Sequence, residues 1–133
     1  MDEVNIRIGA EVNLTEDLKK VKRAVENMFS IVEFEVRPGD GGSLLIAKTK
    51  GREGLSKLSN LLRRERIRDA ARRVLFKGLR EHSVTFYLNK QVAYAGHVSF
   101  CQPVAESPLG PLEVQITCDK PKELIEWLAP RTT

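Results

Sequence analysis

Two histidines, two cysteines and a dense run of arginines are the side chains with the most chemistry to offer in this 133-residue sequence. His97 and Cys101 stand four apart in a stretch patterned like a strand, which separates them by ~13 Å, too far to share one metal ion. A four-ligand zinc site from His82, His97, Cys101 and Cys118 would need the fold to converge all four, and their spacing gives no reason for it. No Gly-Lys-Ser/Thr phosphate loop, serine elbow or paired-carboxylate pattern accompanies them. The glycines of Pro38-Gly39-Asp40-Gly41-Gly42 read as a hairpin connection. The sequence therefore argues against an enzyme, leaving one of unknown chemistry as a distant third reading, and it points to no cofactor or metal.

The arginines are a different matter. Between Arg52 and Arg80 lie ten Lys and Arg against three Asp and Glu, while the whole chain carries only +4, so the rest of it is net acidic. The spacing of Leu58, Leu61, Leu62, Ile67, Ala70, Ala71 and Val74 predicts helix, either continuous or kinked at Asn60 or at Arg63–Arg64. On such a helix Arg64, Arg68 and Arg72 form one row and Arg66, Arg73 and Lys77 another, with Glu65 and Asp69 between them. Cations at steps of ~6 Å or so along the axis suit a phosphate backbone. The alternatives are a solvated face, with Glu65 paired to Arg68 and Asp69 to Arg72 or Arg73, or a face that meets acidic patches on this chain or a second copy. Three acids cannot neutralise ten bases, so most of the cations lack an intrahelical partner.

Those cations need a scaffold, and the remainder of the sequence reads as one. Glu3 to Asn13 alternates apolar and polar as a half-buried strand. A helix capped by Thr15 follows, with Leu18, Val21, Val25, Met28 and Phe29 inward and Lys19, Lys20, Lys22 and Arg23 outward. Ile31 to Arg37 and Ser43 to Lys50 are strands. Beyond Gly78, read as a helix terminator, Ser83 to Leu88 and Val92 to Phe100 read as a hairpin about Asn89-Lys90-Gln91. Lys90, Gln91 and His97 sit at or near that tip, where polar side chains can reach a groove or loop of RNA, and Lys90 and Gln91 would be secondary contacts. Tyr87 and Tyr94 would stack on bases if they face outward, although Tyr94 in the core and a plain polar turn is the competing reading. A stiff Pro-rich loop spans 102–111, Leu112 to Cys118 is the last strand, and Pro121 opens a terminal helix docked by Leu124, Ile125, Trp127 and Leu128. Sequential hairpins with helices on one face give an α+β class with a largely antiparallel sheet, as one domain over residues 1–133. With no long apolar run and no secretory pattern at the amino end, the reading is cytoplasmic, without a membrane, and with Cys101 and Cys118 as buried, reduced thiols.

Four runs carry a resemblance: 62–72 (LRRERIRDAAR), 88–93 (LNKQVA), 106–111 (ESPLGP) and 126–130 (EWLAP). Together they resemble a small archaeal family of uncharacterised proteins of the UPF type, whose members share a fold resembling ribosomal protein L-five. The resemblance implies an α+β domain, an archaeal cytoplasmic setting and kinship with RNA-binding architectures, including a predicted exosome-associated family of the same shape. It transfers no functional residue. The leading expectation is a non-catalytic protein that holds structured RNA, with little sequence preference, through Arg64, Arg66, Arg68, Arg72, Arg73 and Lys77, helped by Lys90 and Gln91. The runner-up is a homodimeric assembly module that pairs through an edge strand such as Leu112 to Cys118 and has no role in nucleic acid binding.

Overall fold

The computed structural model describes residues 3–39, 41–102 and 110–132. Five strands, β1 (Asn5–Asn13), β2 (Glu33–Gly39), β3 (Gly42–Lys50), β4 (Ser83–Asn89) and β5 (Pro111–Thr117), form one sheet in the order β2-β3-β1-β5-β4. Every neighbouring pair is antiparallel. Six helices accompany the sheet among the described residues: α1 (Leu18–Met28), α2 (Gly51–Gly54), α3 (Ser56–Arg64), α4 (Arg68–Lys77), α5 (Lys90–Tyr94) and α6 (Pro121–Leu128). This is the α+β class that the sequence pattern predicts.

Period-two alternation sorts the sheet into two faces. Ile6, Ile8, Ala10 and Val12 of β1 are buried together with Leu45 and Ala47 of β3, Leu112, Val114 and Ile116 of β5, and Val84, Phe86 and Leu88 of β4. Their opposite-facing neighbours Arg7, Glu11, Lys48, Lys50, Glu113 and Gln115 are exposed. A single cluster joins the buried set to Val21, Ala24, Val25 and Met28 of α1, Leu58, Leu61 and Leu62 of α3, Ala71 and Leu75 of α4, and Leu124, Ile125 and Leu128 of α6. Removing each of the larger of these side chains from water contributes about 1.5–3 kcal/mol, so the helices are held on that one face. Pro121 takes the first position of α6, as its fixed φ favours.

Several expectations are corrected. Residues Val92 to Phe100 do not form a strand: Asn89 Oδ1 accepts from the Val92 N–H at 2.9 Å and caps α5, leaving only an isolated bridge between Leu88 and Phe100. The cap of α1 is Asp17, whose carboxylate accepts from the Lys19 N–H, and not Thr15. The strand Leu112 to Cys118 is no edge, because β5 lies between β1 and β4; the sheet ends on β2 and β4. Gly78 ends α4 at φ −89°, so it is not needed for a left-handed turn. A Cβ there would fall 1.9 Å from the Thr85 carbonyl oxygen, and the glycine lets the helix end pack directly on β4. Cys118 is buried and Cys101 half-buried. Asp40 of the turn and residues 103–109 of the Pro-rich loop lie outside the described residues.

Candidate nucleic-acid interface

The basic segment folds as three helices, not one. α3 closes through a pair of hydrogen bonds, Arg66 N–H to Arg63 O (3.2 Å) and Ile67 N–H to Leu62 O (3.1 Å), with Arg66 left-handed at φ 58°. This is the closure that helices usually make with glycine, and here an arginine occupies the left-handed position. The turn redirects the chain so that Ile67 packs against the core and Asp69 enters the first turn of α4, where a carboxylate suits the helix dipole. The predicted kink exists, but it lies at 65–67, past Asn60 and Arg63–Arg64. The two continuous rows of cations are therefore broken. Arg64 ends α3, Arg66 sits in the junction, and Arg68, Arg72, Arg73 and Lys77 belong to α4.

Tertiary contacts then divide the cations into engaged and unengaged. Arg72 is engaged: its guanidinium makes a bidentate contact with Glu126, Nη1 to Oε2 at 2.7 Å and Nη2 to Oε1, and its charged group lies over the Phe76 ring, 4.9 Å from the centroid. Its side chain is only 14% exposed. Hydrogen bonding and charge from Arg72 hold the Glu126 carboxyl below its ordinary range, and Glu126 in turn raises Arg72. Arg52 stacks on Trp127 at 5.2 Å, so two cations of the segment serve to dock α6. Arg64, Arg66, Arg73 and Lys77 are exposed and Arg68 is half-buried, and none of the five has a hydrogen bond or ion pair to a carboxylate among the described residues.

Both acids of the segment's middle are used elsewhere. Glu65 binds His97 Nδ1 at 2.8 Å and accepts from the Val98 N–H at 3.1 Å, tying the end of α3 to the turn after α5. Burial pushes its pKa up, but these hydrogen bonds and the charges of His97 and Arg64 outweigh that and leave it lowered. Asp69 accepts from the Thr132 hydroxyl at 2.7 Å, and that bond, with help from Arg73 and Arg68 nearby, lowers its pKa against a desolvation cost. Neither acid makes the Glu65–Arg68 or Asp69–Arg72/Arg73 pair that the helical spacing offered. With the acids hydrogen-bonded to loop and tail, Arg64, Arg68 and Arg73 act on them only through charge, without a hydrogen bond or ion pair.

Lys90 and Gln91 do not join this surface. Lys90 is 4% exposed, with Nζ donating to Glu11 O at 2.6 Å and to both carboxylate oxygens of Glu16 at 3.1 and 3.2 Å. Its charge is consumed in the fold, and no RNA phosphate can reach it. Gln91 is exposed and lines a separate cleft of about 310 Å³, in which Glu16 and Asp17 balance Lys20 and Lys90. Tyr94 is 46% exposed on α5 beside Lys20, which corrects the core reading. Tyr87 faces the open side of the sheet against Glu113, where burial and that carboxylate raise its pKa. Among the described residues no group of three His, Cys, Asp or Glu converges as a metal site, and no helix is long and apolar enough to cross a membrane.

An antiparallel sheet backed by helices, two of which present cations without a carboxylate partner among the described residues, defines a small α+β protein with a cationic helical surface. A family model described as RNA binding matches residues 5–105. A UPF0201 protein of Pyrobaculum calidifontis is 46% identical over 130 residues, covering 97% of this chain and 91% of that one. One from Saccharolobus solfataricus is 36% identical over 129 residues, covering 97% and 89%. The crystal structure of a UPF0201 protein from Methanococcus jannaschii matches with a TM-score of 0.87 at 38% identity, over 97% of this chain and 95% of that one. A DUF54 protein from Methanothermobacter thermautotrophicus, at 21% identity and a TM-score of 0.63, shares the fold. The chain belongs to the archaeal UPF0201 family.

Proposed function

We propose that this protein binds structured RNA without catalysis, through the exposed cations of α3, α4 and their junction: Arg64, Arg66, Arg68, Arg73 and Lys77. The observation that carries the reading is their lack of carboxylate partners, although Glu65 and Asp69 stand beside them in sequence and are bound elsewhere. The match to a family model described as RNA binding supports it. Contacts of this kind fix register and supply affinity, with little choice among sequences. Arg72 drops out of the contact set because Glu126 already neutralises it. The test is binding of a fluorescent RNA hairpin across a salt series. Affinity that falls steeply with salt and survives a change of hairpin sequence supports the reading, and salt-independent or absent binding refutes it.

A second reading is self-assembly. β2 is an edge strand whose residues Phe34 and Val36 are incompletely covered, with Val36 38% exposed and Ile31, just before it, 77% exposed. Such an edge can add a strand from another copy. Sedimentation with and without nuclease separates the two readings, since a purely self-associating protein keeps the same mass in both.

A further inference from the structure

The larger clefts of the described surface differ in charge. One, of about 720 Å³ on the open sheet face, sets Arg7, Lys48 and Lys50 beside Glu33 and Glu53. The cleft at α5 sets Glu16 and Asp17 beside Lys20 and Lys90, and the one beside Tyr87 sets Glu11 and Glu113 beside Arg7. A notch of about 340 Å³ between α1, α3 and the turn after α5 has no carboxylate in its wall. It is lined by Asn27, Lys57, Asn60, Leu61, Arg64 and Gly96.

Its geometry is built from several directions. Lys57, Asn60 and Arg64 stand at i, i+3 and i+7 on α3, so all three project to one side, with the two cations ~10 Å apart along the axis and within the joint reach of two long side chains. Asn60 Oδ1 accepts from Arg63 Nη2 at 3.1 Å, which turns the amide so that its N–H₂ group remains available. Across the notch, Asn27 Nδ2 donates to the carbonyls of Ala93 (3.0 Å) and Tyr94 (3.1 Å) and fixes the α5 turn against α1. Glu65 holds the far side of that turn through His97 and Val98. Gly96, at φ 87°, has no heavy atom within 4 Å of where a Cβ would stand, so its backbone is open to close approach.

We propose that this notch is a phosphate-binding site. On the RNA-binding reading above, on which this assignment rests, it seats one phosphodiester of the RNA backbone. Lys57, whose Nζ donates to the Glu26 carbonyl at 2.7 Å and keeps two further N–H donors, and Arg64 supply the charge, Asn60 Nδ2 donates the hydrogen bond, and Gly96 gives the strand room to pass. The RNA track then runs from α4 across the junction at Arg66 and along α3 to the α5 turn. Lys57 and Asn60 join the interface as residues that the arginine rows do not include.

Two measurements on the full chain test this. In the first, inorganic phosphate is titrated at low ionic strength while amide resonances are followed. The Asn60 side-chain amide and the Gly96 N–H should shift in the wild type and in Arg68→Ala/Arg73→Ala, and stay still in Lys57→Ala/Arg64→Ala. In the second, Asn60→Asp places a carboxylate of the same shape in the notch, and its affinity for an RNA hairpin should fall about tenfold or more with an unchanged melting temperature. An unmoved notch in the phosphate titration overturns the site. Wild-type RNA affinity in Asn60→Asp overturns the phosphodiester assignment, and the surface on α4 stands if Arg68→Ala/Arg73→Ala still weakens binding. Phosphate-induced shifts at the notch in a protein that binds no RNA keep the phosphate site and sink the RNA reading instead.

Discussion

Replacing Arg68 and Arg73 together with alanine removes two cations that touch no carboxylate, whereas replacing Arg72 breaks a bidentate ion pair to Glu126. The two changes resemble each other in sequence and should part company in a salt titration. If Arg64, Arg66, Arg68, Arg73 and Lys77 each neutralise one phosphate, the log affinity falls with log salt at a slope of about −4.5, taking about 0.9 per contact as for duplex DNA. Raising salt from about 50 to about 200 mM then weakens wild-type binding about 500-fold. Without Arg68 and Arg73 the slope is about −2.7 and the loss over the same interval about 40-fold. Arg72→Ala should keep the wild-type slope and lower the melting temperature, because Arg72 joins α4 to α6 and does not face an RNA. Fluorescence anisotropy of a labelled hairpin at five or so salt concentrations, with a thermal melt of each variant, reads both quantities. A double variant with the wild-type slope, or an Arg72→Ala protein whose slope flattens as much, would refute the division into engaged and unengaged cations.

Other consequences of the structure are open to direct measurement. Arg66→Gly should raise stability by up to about 1 kcal/mol, because the left-handed position at φ 58° strains any residue with a Cβ, while RNA affinity drops; denaturation and binding on one sample check both. Lys90→Met should cost roughly 3–5 kcal/mol in urea denaturation by leaving Glu16 buried without its cation, and adding Glu16→Gln should restore part of that. Glu65 has a folded-state pKa below its ordinary 4.5, so its contribution is present above that value and fades as pH falls through the lower folded value. The stability gap between wild type and Glu65→Gln should accordingly be present above pH 4.5 and narrow as pH falls below it. A gap that widens as pH falls below 4.5 would show that Glu65 is not held by His97 and Val98 as described.

The sequence by itself determined the layers of this protein. β1 and β5 alternate apolar and polar without a break, and α1 and α6 carry apolar stripes at helical spacing, so their orientation toward a core is written in local periodicity. It also determined the excess of positive charge in the segment from Arg52 to Arg80, since composition does not depend on folding. Local pattern was less able to fix α5, where Val92 and Tyr94 in a five-residue helix look like strand residues until the Asn89 cap is seen. It had no means of finding the break at Arg66, because arginine carries no left-handed preference and the turn is held by the packing of Ile67 on the core.

Only the tertiary structure decided which charges face solvent. Arg72 meets Glu126, 54 residues away, and Lys90 meets Glu16, 74 residues away, and no helical or strand period links such pairs. An ion pair depends on distance in space, and a buried charge must find its partner wherever the chain returns. The sequence counts the cations, while the fold selects those left without a carboxylate.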